Sequence, residues 1–228
     1  MSKSVVFLFD VDNTLLDNDQ IAADLKDHLE REVGHERQQR YWDIFENLRA
    51  ELGYADYLGA LQLYRAQYPH DPHLLTMSHF LLEYPFQDRL FPGAINAVEH
   101  TKRLGQPVIL SDGDVVFQPH KVWRSGLHAA FEGAVLIYVH KEFELEDVER
   151  RYPADHYVLI DDKVRILTAV KRIWGNRVAT VFPRQGHYAL DQELVRKYPS
   201  PDFTIETIAD LVSLNLPQGN SQAIWADR

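Results

Sequence analysis

Five short runs along the chain are apolar without alternation: Val5 to Phe9, Val108 to Leu110, Ala134 to Val139, Tyr157 to Ile160 and Val178 to Phe182. A strand with one wet face alternates apolar and polar residues, so continuous runs of this length belong to strands covered on both faces. Helical stretches follow between the later runs: Ala94 to Leu104, Pro119 to Leu127, Glu144 to Arg151 and Val164 to Trp174. Buried strands alternating with helices predict an α/β fold on a doubly wound parallel sheet.

The stretch from Asp17 to about Gln87 has no comparable β-branched run and reads as all-helical. Tyr41, Phe45, Leu48 and Leu52 recur at helical spacing, and so do Tyr57, Leu61, Tyr64 and Tyr68, each set making one apolar stripe. Breaks at Gly34, Gly53, Pro69 to Pro72 and Pro85 divide it into about four helices. The predicted organisation is core over residues 1–16, an all-helical inserted domain over 17–87, and core again over 88–228.

Composition narrows the function classes. At 228 residues the chain accommodates a catalytic domain carrying a smaller inserted one. A net charge of −10 repels polyanions and offers no broad footprint for nucleic acid, so a small anion needs a local positive trap. The chain has no cysteine, which removes disulfides, thiolate metal sites and cysteine nucleophiles together. Its 11 histidines are scattered and form no HxxxH-type cluster. The apolar run ahead of Asp10 is too short for a signal segment or a membrane span, and a soluble, cytoplasmic protein with no membrane partner is expected.

The chemistry-bearing residues sit just beyond the predicted strands. Asp10, Asp12 and Thr14 follow the first, where parallel sheets place their ligands. One carboxylate of such a pair can attack phosphorus, giving a reactive acyl phosphate, while the other handles the proton of the leaving group and of water. A pair of turn or helix-capping aspartates would look the same. Ser111, Asp112 and Gly113 follow the second strand, and a hydroxyl with free backbone N–H groups there would hold phosphoryl oxygens; taken alone the signal is weak and a plain turn with a capping serine accounts for it better. Lys141 follows the third strand and can supply a fixed positive charge. Lys121 is a rival, but it lies inside a predicted helix, away from a strand end, and ranks lower. Asp161 and Asp162 close the fourth strand. Adjacent acids there repel unless a cation is present, and magnesium with Asp10, Asp162 and a backbone carbonyl fits hard-oxygen coordination, although an aspartate cap for the next helix also fits. Acid pair, serine, lysine and acid pair in order, each after a separate strand, outweigh the independent structural explanations.

With these residues the chain resembles the haloacid dehalogenase superfamily, in its phosphatase-like branch with a helical cap inserted after the first motif. FLFDVDNTLLDND, VILSDGD, YVHK and YVLIDDK are similar to its four motifs. The resemblance implies an Asp10 nucleophile, Asp12 as general acid/base and backbone-carbonyl ligand of Mg2+, and Thr14 as an orienting hydroxyl. It further implies phosphate binding by Ser111 and Lys141, metal binding by Asp162, and Asp161 behind it. Glu142 stands where many relatives carry proline, and Asp112 where asparagine is frequent. Asp12 argues against haloacid dehalogenation, and the scarcity of lysines in the insertion, with only Lys26 near its start, argues against phosphonate cleavage. The expected activity is magnesium-dependent hydrolysis of a small phosphorylated metabolite. A phosphomutase, a non-catalytic binding protein of the same fold and an aspartyl-phosphate receiver are the alternatives, the last disfavoured by the long insertion. Tyr41, Trp42, Tyr54, Tyr57, Phe86 and the arginines Arg37, Arg40, Arg49 and Arg65 are expected mainly to pack, and oligomeric state stays open.

Overall fold

The computed structural model describes residues 5–216. Strand β1 (Val5–Phe9) leads into helices α1 (Asn18–Val33), α2 (His35–Leu52), α3 (Tyr57–Gln67) and α4 (Leu74–Glu83), and the chain returns through a short 3₁₀ turn, Phe86–Arg89. Then follow α5 (Ala94–Lys102), β2 (Gln106–Asp112), α6 (Phe117–Arg124), α7 (Leu127–Ala130), β3 (Val135–Tyr138), α8 (Leu145–Arg151) and β4 (His156–Ile160). The last elements are α9 (Val164–Trp174), β5 (Val178–Pro183), α10 (Gly186–Leu190), α11 (Gln192–Val195) and β6 (Phe203–Ile205).

The six strands form one sheet in the order β3-β2-β1-β4-β5-β6, every pair parallel. Both faces are covered, as the unbroken apolar runs require. In β1, Val5, Phe7 and Phe9 enter one buried cluster while Val6 and Leu8 enter the other, the period-2 alternation of a strand divided between two cores. On α9, Val164, Ile166, Leu167, Val170 and Trp174 are buried, giving the helix one apolar face against the sheet. Strand β1 lies between β2 and β4, which places its C-terminal end at the crevice where the strand order reverses.

The insertion after β1 is helical, with turns at the positions its glycines and prolines mark. Asp17 starts α1 by accepting the N–H of Gln20 at 2.9 Å. Gly53 ends α2 in the left-handed region at φ 80, with its N–H on the Arg49 carbonyl. Asp56 caps α3 through the N–H of Gly59. The aromatic stripes pack inward: Tyr41, Phe45, Tyr57, Leu61 and Tyr64 are buried, and the Tyr41 hydroxyl donates to the Tyr57 carbonyl at 2.9 Å. The two chain crossings between insertion and sheet are bonded to each other, Asp17 N–H to the Arg89 carbonyl and Phe91 N–H to the Leu15 carbonyl.

Two elements depart from the sequence expectation. The helix expected over Pro119 to Leu127 starts earlier, because Asp114 takes the N–H groups of Val116 and Phe117, and it is split from α7 by Gly126 in the left-handed region. Strand β6 went unpredicted. Only three residues long, it is an edge strand whose register against β5 comes from tertiary pairing rather than from a hydrophobic run.

Candidate active site

The site is assembled on the C-terminal edge of the sheet. Asp10 continues the β1 ladder, its N–H on the Ile160 carbonyl at 2.9 Å. Beyond it the chain turns sharply, with Asn13 at φ 63 and the N–H groups of Thr14, Leu15 and Leu16 all directed at the Val11 carbonyl. This turn brings Thr14 back under Asp10: its hydroxyl donates to Asp10 Oδ2 at 3.3 Å and accepts the Asp162 N–H at 3.1 Å. Thr14 thus ties the loop after β1 to the loop after β4.

Lys141 opens a short 3₁₀ turn after β3 and is fully buried. Its ammonium donates to Asp10 Oδ1 at 2.5 Å and to the Leu110 carbonyl at 3.2 Å, and it lies 2.7 Å from Asp161 Oδ2. Burial opposes its charge, but Asp10, Asp161 and Asp112 around it hold its pKa well above the ordinary lysine value. Next to it Glu142, also buried, is held by Arg165 at 2.5 Å.

Asp161 and Asp162 are both fully buried. Asp161 Oδ1 accepts the N–H of Lys163 at 2.8 Å, so the helix-capping role is realised by one oxygen while the other faces Lys141. Neither carboxylate oxygen of Asp162 has a hydrogen-bond partner among the described residues. Burial raises Asp161 to about 6 against the pull of Lys141, and it raises Asp162 well above the carboxylate range against that of Lys163. Carboxylate oxygens of Asp10, Asp161 and Asp162 lie within 4.8 Å of one another. Orphaned, buried hard-oxygen donors at this spacing suit a small divalent cation, which would remove the desolvation penalty of the acids.

The loop after β2 contributes differently from the expectation. The strand runs on through Ser111 and Asp112, paired with Ile137 and Tyr138 of β3. Ser111 is buried and its hydroxyl accepts from the Gln118 amide at 3.0 Å. The Gly113 N–H is not a free donor for phosphate, because it bonds the Tyr138 carbonyl at 2.9 Å. The Asp112 carboxylate accepts the Lys141 N–H at 2.7 Å and so fixes the lysine's backbone; burial raises its pKa despite Lys141 beside it.

Asp12 has a lysine of its own. The ammonium of Lys121, on α6, donates to Asp12 Oδ1 at 2.6 Å and Oδ2 at 2.8 Å, and to Asn18 Oδ1 at 3.1 Å. Lys121 is 1% exposed, whereas the Asp12 side chain is 21% exposed and lines a cavity of about 90 Å³ beneath the helical insertion. The spacing from the strand ends favoured Lys141, but one signal for Lys121 was present in the sequence. It stands four residues after Phe117, on the apolar face of an amphipathic helix, where a lysine needs a buried anionic partner.

Trp42, Phe45, Arg49, Tyr54 and Tyr57 from the insertion, with Lys163, His187 and Tyr188 from the core, also line this cavity. Arg49 donates to the Tyr188 hydroxyl, joining α2 to α10. Arg37 pairs with Asp71 and Arg40 with Glu36, both away from the cavity. Lys26 lies 4.1 Å from the Trp42 ring centre.

The sequence profile of the haloacid dehalogenase-like hydrolases matches residues 5–146. A haloacid dehalogenase-like hydrolase from Burkholderia xenovorans LB400 is 58% identical, with a TM-score of 0.90 over 94% of this chain and 100% of that one. The chain therefore belongs to the haloacid dehalogenase-like hydrolase family. An L-2-haloacid dehalogenase from Xanthobacter autotrophicus is 20% identical, with a TM-score of 0.58 over 93% of this chain and 98% of that one, and shares the fold. A hydrolase of the same family from Bacillus subtilis, solved with magnesium bound, is 16% identical with a TM-score of 0.61 over 94% of this chain and 100% of that one. No curated protein matches the sequence. Among the described residues no helix is long and apolar enough to cross a membrane.

Proposed function

We propose that the protein hydrolyses small phosphate monoesters through a phosphoaspartate on Asp10. One observation carries this reading: two carboxylates stand two residues apart, each fixed by a different buried lysine, Asp10 by Lys141 and Asp12 by Lys121. Attack on carbon by Asp10 would need only the first pair. A second, separately held carboxylate facing the cavity suits a reaction in which a leaving oxygen takes up a proton and water later loses one.

In the first step an Asp10 carboxylate oxygen bonds to phosphorus, the bond from phosphorus to the ester oxygen breaks, and Asp12 delivers a proton to that oxygen. In the second, Asp12 takes a proton from water as the water oxygen bonds to phosphorus, releasing phosphate and free Asp10. Lys141 orients Asp10 through one carboxylate oxygen, and Thr14 holds the other. Asp10 and Asp162, with the Asp12 backbone carbonyl, are the groups that would hold Mg2+, with Asp161 beside them; the cation supplies charge neutralisation for an anionic substrate among acids.

The test is a panel of phosphate monoesters and, in parallel, 2-haloacids, each assayed with magnesium and with a chelator. Phosphate release that stops in the chelator supports the reading; halide release without phosphate release would replace it with dehalogenation. Transfer of phosphate to a second sugar hydroxyl rather than to water would make the enzyme a mutase.

A further inference from the structure

Lysine is a costly residue to bury, and a methionine would fill the same space on α6 without desolvating a charge. Lys121 nevertheless directs its ammonium at one point where both oxygens of Asp12 and the amide oxygen of Asn18 converge, at 2.6, 2.8 and 3.1 Å. These match its three N–H donors. Asn18 is the first residue of α1, at the crossing into the insertion, and its backbone N–H is held by Asn13 Oδ1 at 3.0 Å. Tyr57, the buried first residue of α3, lines the same cavity as Asp12 and Asn18. A continuous polar path therefore runs from the core helix α6 through the Asp12 carboxylate and Asn18 to the insertion.

We infer that Lys121 is a positioning residue: it fixes the Asp12 carboxylate for proton transfer, and through Asn18, the first residue of the insertion's first helix, it makes that geometry depend on the insertion being seated over the site. The inference rests on the phosphatase reading and deepens it. A carboxylate exchanges protons efficiently only within about 2.6 to 3.2 Å of its partner atom, and a side chain partly open to a cavity has other rotamers available. Two hydrogen bonds from a buried ammonium remove that freedom, and the Asn18 contact sets where the ammonium itself stands. Gripping both oxygens orients the carboxylate without contact between Lys121 and substrate.

The experiment compares kcat and KM of the full chain with magnesium on substituted phenyl phosphates, from 4-nitrophenyl to unsubstituted phenyl. In Lys121→Met, kcat should fall by about 10-fold or more on phenyl phosphate, a part of the general acid/base contribution, and much less on 4-nitrophenyl phosphate, with KM little changed. The same substitution in an Asp12→Asn background should cost nothing further, because the group it positions is already disabled. Asn18→Ala, which keeps the lysine–carboxylate pair, should steepen the leaving-group dependence in the same sense and to a smaller degree. A loss equal for all leaving groups, a full additional loss in Asp12→Asn, or no loss would overturn the inference while leaving the phosphatase reading intact. Should Lys121→Met fail to fold, the Asn18→Ala dependence decides, and an unchanged slope overturns the inference. A parent enzyme inactive on every phenyl phosphate and on the rest of the phosphate monoester panel overturns both.

Discussion

The floor of the site and the helical insertion above it are both well buried, yet they are built on opposite principles. On the floor, Asp10, Lys141, Asp161 and Asp162 are ionisable groups withdrawn almost wholly from water and arranged around a few atoms, with both oxygens of Asp162 left unpartnered. In the insertion the buried groups are rings: Phe45 stacks on Tyr57 with centres 4.5 Å apart, and Tyr41 and Tyr64 lie in the same cluster. Its Arg37 and Arg40 pair near the surface. Removing a charge from the floor unbalances its neighbours at low dielectric, whereas trimming a polar atom from a ring leaves most of the packing in place. The two regions should therefore respond very differently to single-atom changes.

The largest effect belongs to Asp10→Asn. The substitution keeps the side chain's size and its contact with Thr14 but replaces the proposed carboxylate nucleophile with an amide, so turnover should fall by about 10⁴-fold or more, with no phosphoenzyme formed. Rapid quenching followed by peptide mass analysis of the parent enzyme locates the phosphoryl group. Label on Asp12 or on a histidine, or undiminished turnover in Asp10→Asn, would remove the floor's claim to be the reacting centre.

A smaller effect links metal and pH. Burial holds Asp161 at about 6, above the ordinary aspartate value of 3.8, and moves Asp162 in the same direction. Between those two values the unfolded chain has released a proton that the folded chain keeps. The stability of the metal-free protein thus falls as pH rises from about 4 through 6 on account of Asp161, and Asp162 contributes with the same sign. A cation that binds their ionised forms restores what is lost, so stabilisation by magnesium should be slight at pH 5 and larger at pH 7, reaching about 2.7 kcal/mol at a hundredfold excess over Kd. Thermal melts with magnesium and with chelator at the two pH values measure this. An equal shift at both would place the binding site away from the buried acids.

The same contrast explains what could be read from the sequence. A residue one or two places beyond a buried apolar run has its location fixed by the strand, so Asp10, Lys141, Asp161 and Asp162 were predictable as a group from three separate runs. Lys121 was not ranked with them because a helical position tells which face a side chain occupies but not what meets it. Its partnership with Asp12 depends on how α6 lies across the loop after β1. Gly113 misled for a related reason: β2 continues past its apolar run, and pairing with β3 occupies the N–H that the loop was expected to offer. In the insertion, helical spacing gave the stripes and the glycines and prolines gave the breaks. No local pattern indicates that Arg49 crosses to Tyr188 while Arg40 stays on the surface of its own helix, since that is decided by the placement of α10.

The smallest expected effect tests the insertion's side of the contrast. Tyr41 is fully buried on α2, and its hydroxyl donates to the Tyr57 carbonyl at the start of α3, so it joins two helices of the insertion. Burial pushes its pKa well above the usual tyrosine range, and the group acts as a neutral donor at every physiological pH. Tyr41→Phe keeps the ring and its contacts with Trp42 and Tyr64 and removes a single hydrogen bond. The cost should be about 1 kcal/mol of stability, the usual net value of such a bond, independent of pH between 5 and 8. Because Tyr41 lies behind Tyr57 rather than among the residues lining the cavity, kcat and KM should stay within about twofold of the parent, as expected when a small packing change leaves the reacting groups in place. Denaturant melts together with steady-state assays on one phosphate ester check both halves. A loss of kcat as large as that expected for Lys121→Met would show that α3, whose Tyr57 lines the cavity with Asn18 and Asp12, transmits its position to Asp12 so stiffly that the insertion cannot be regarded as packing alone.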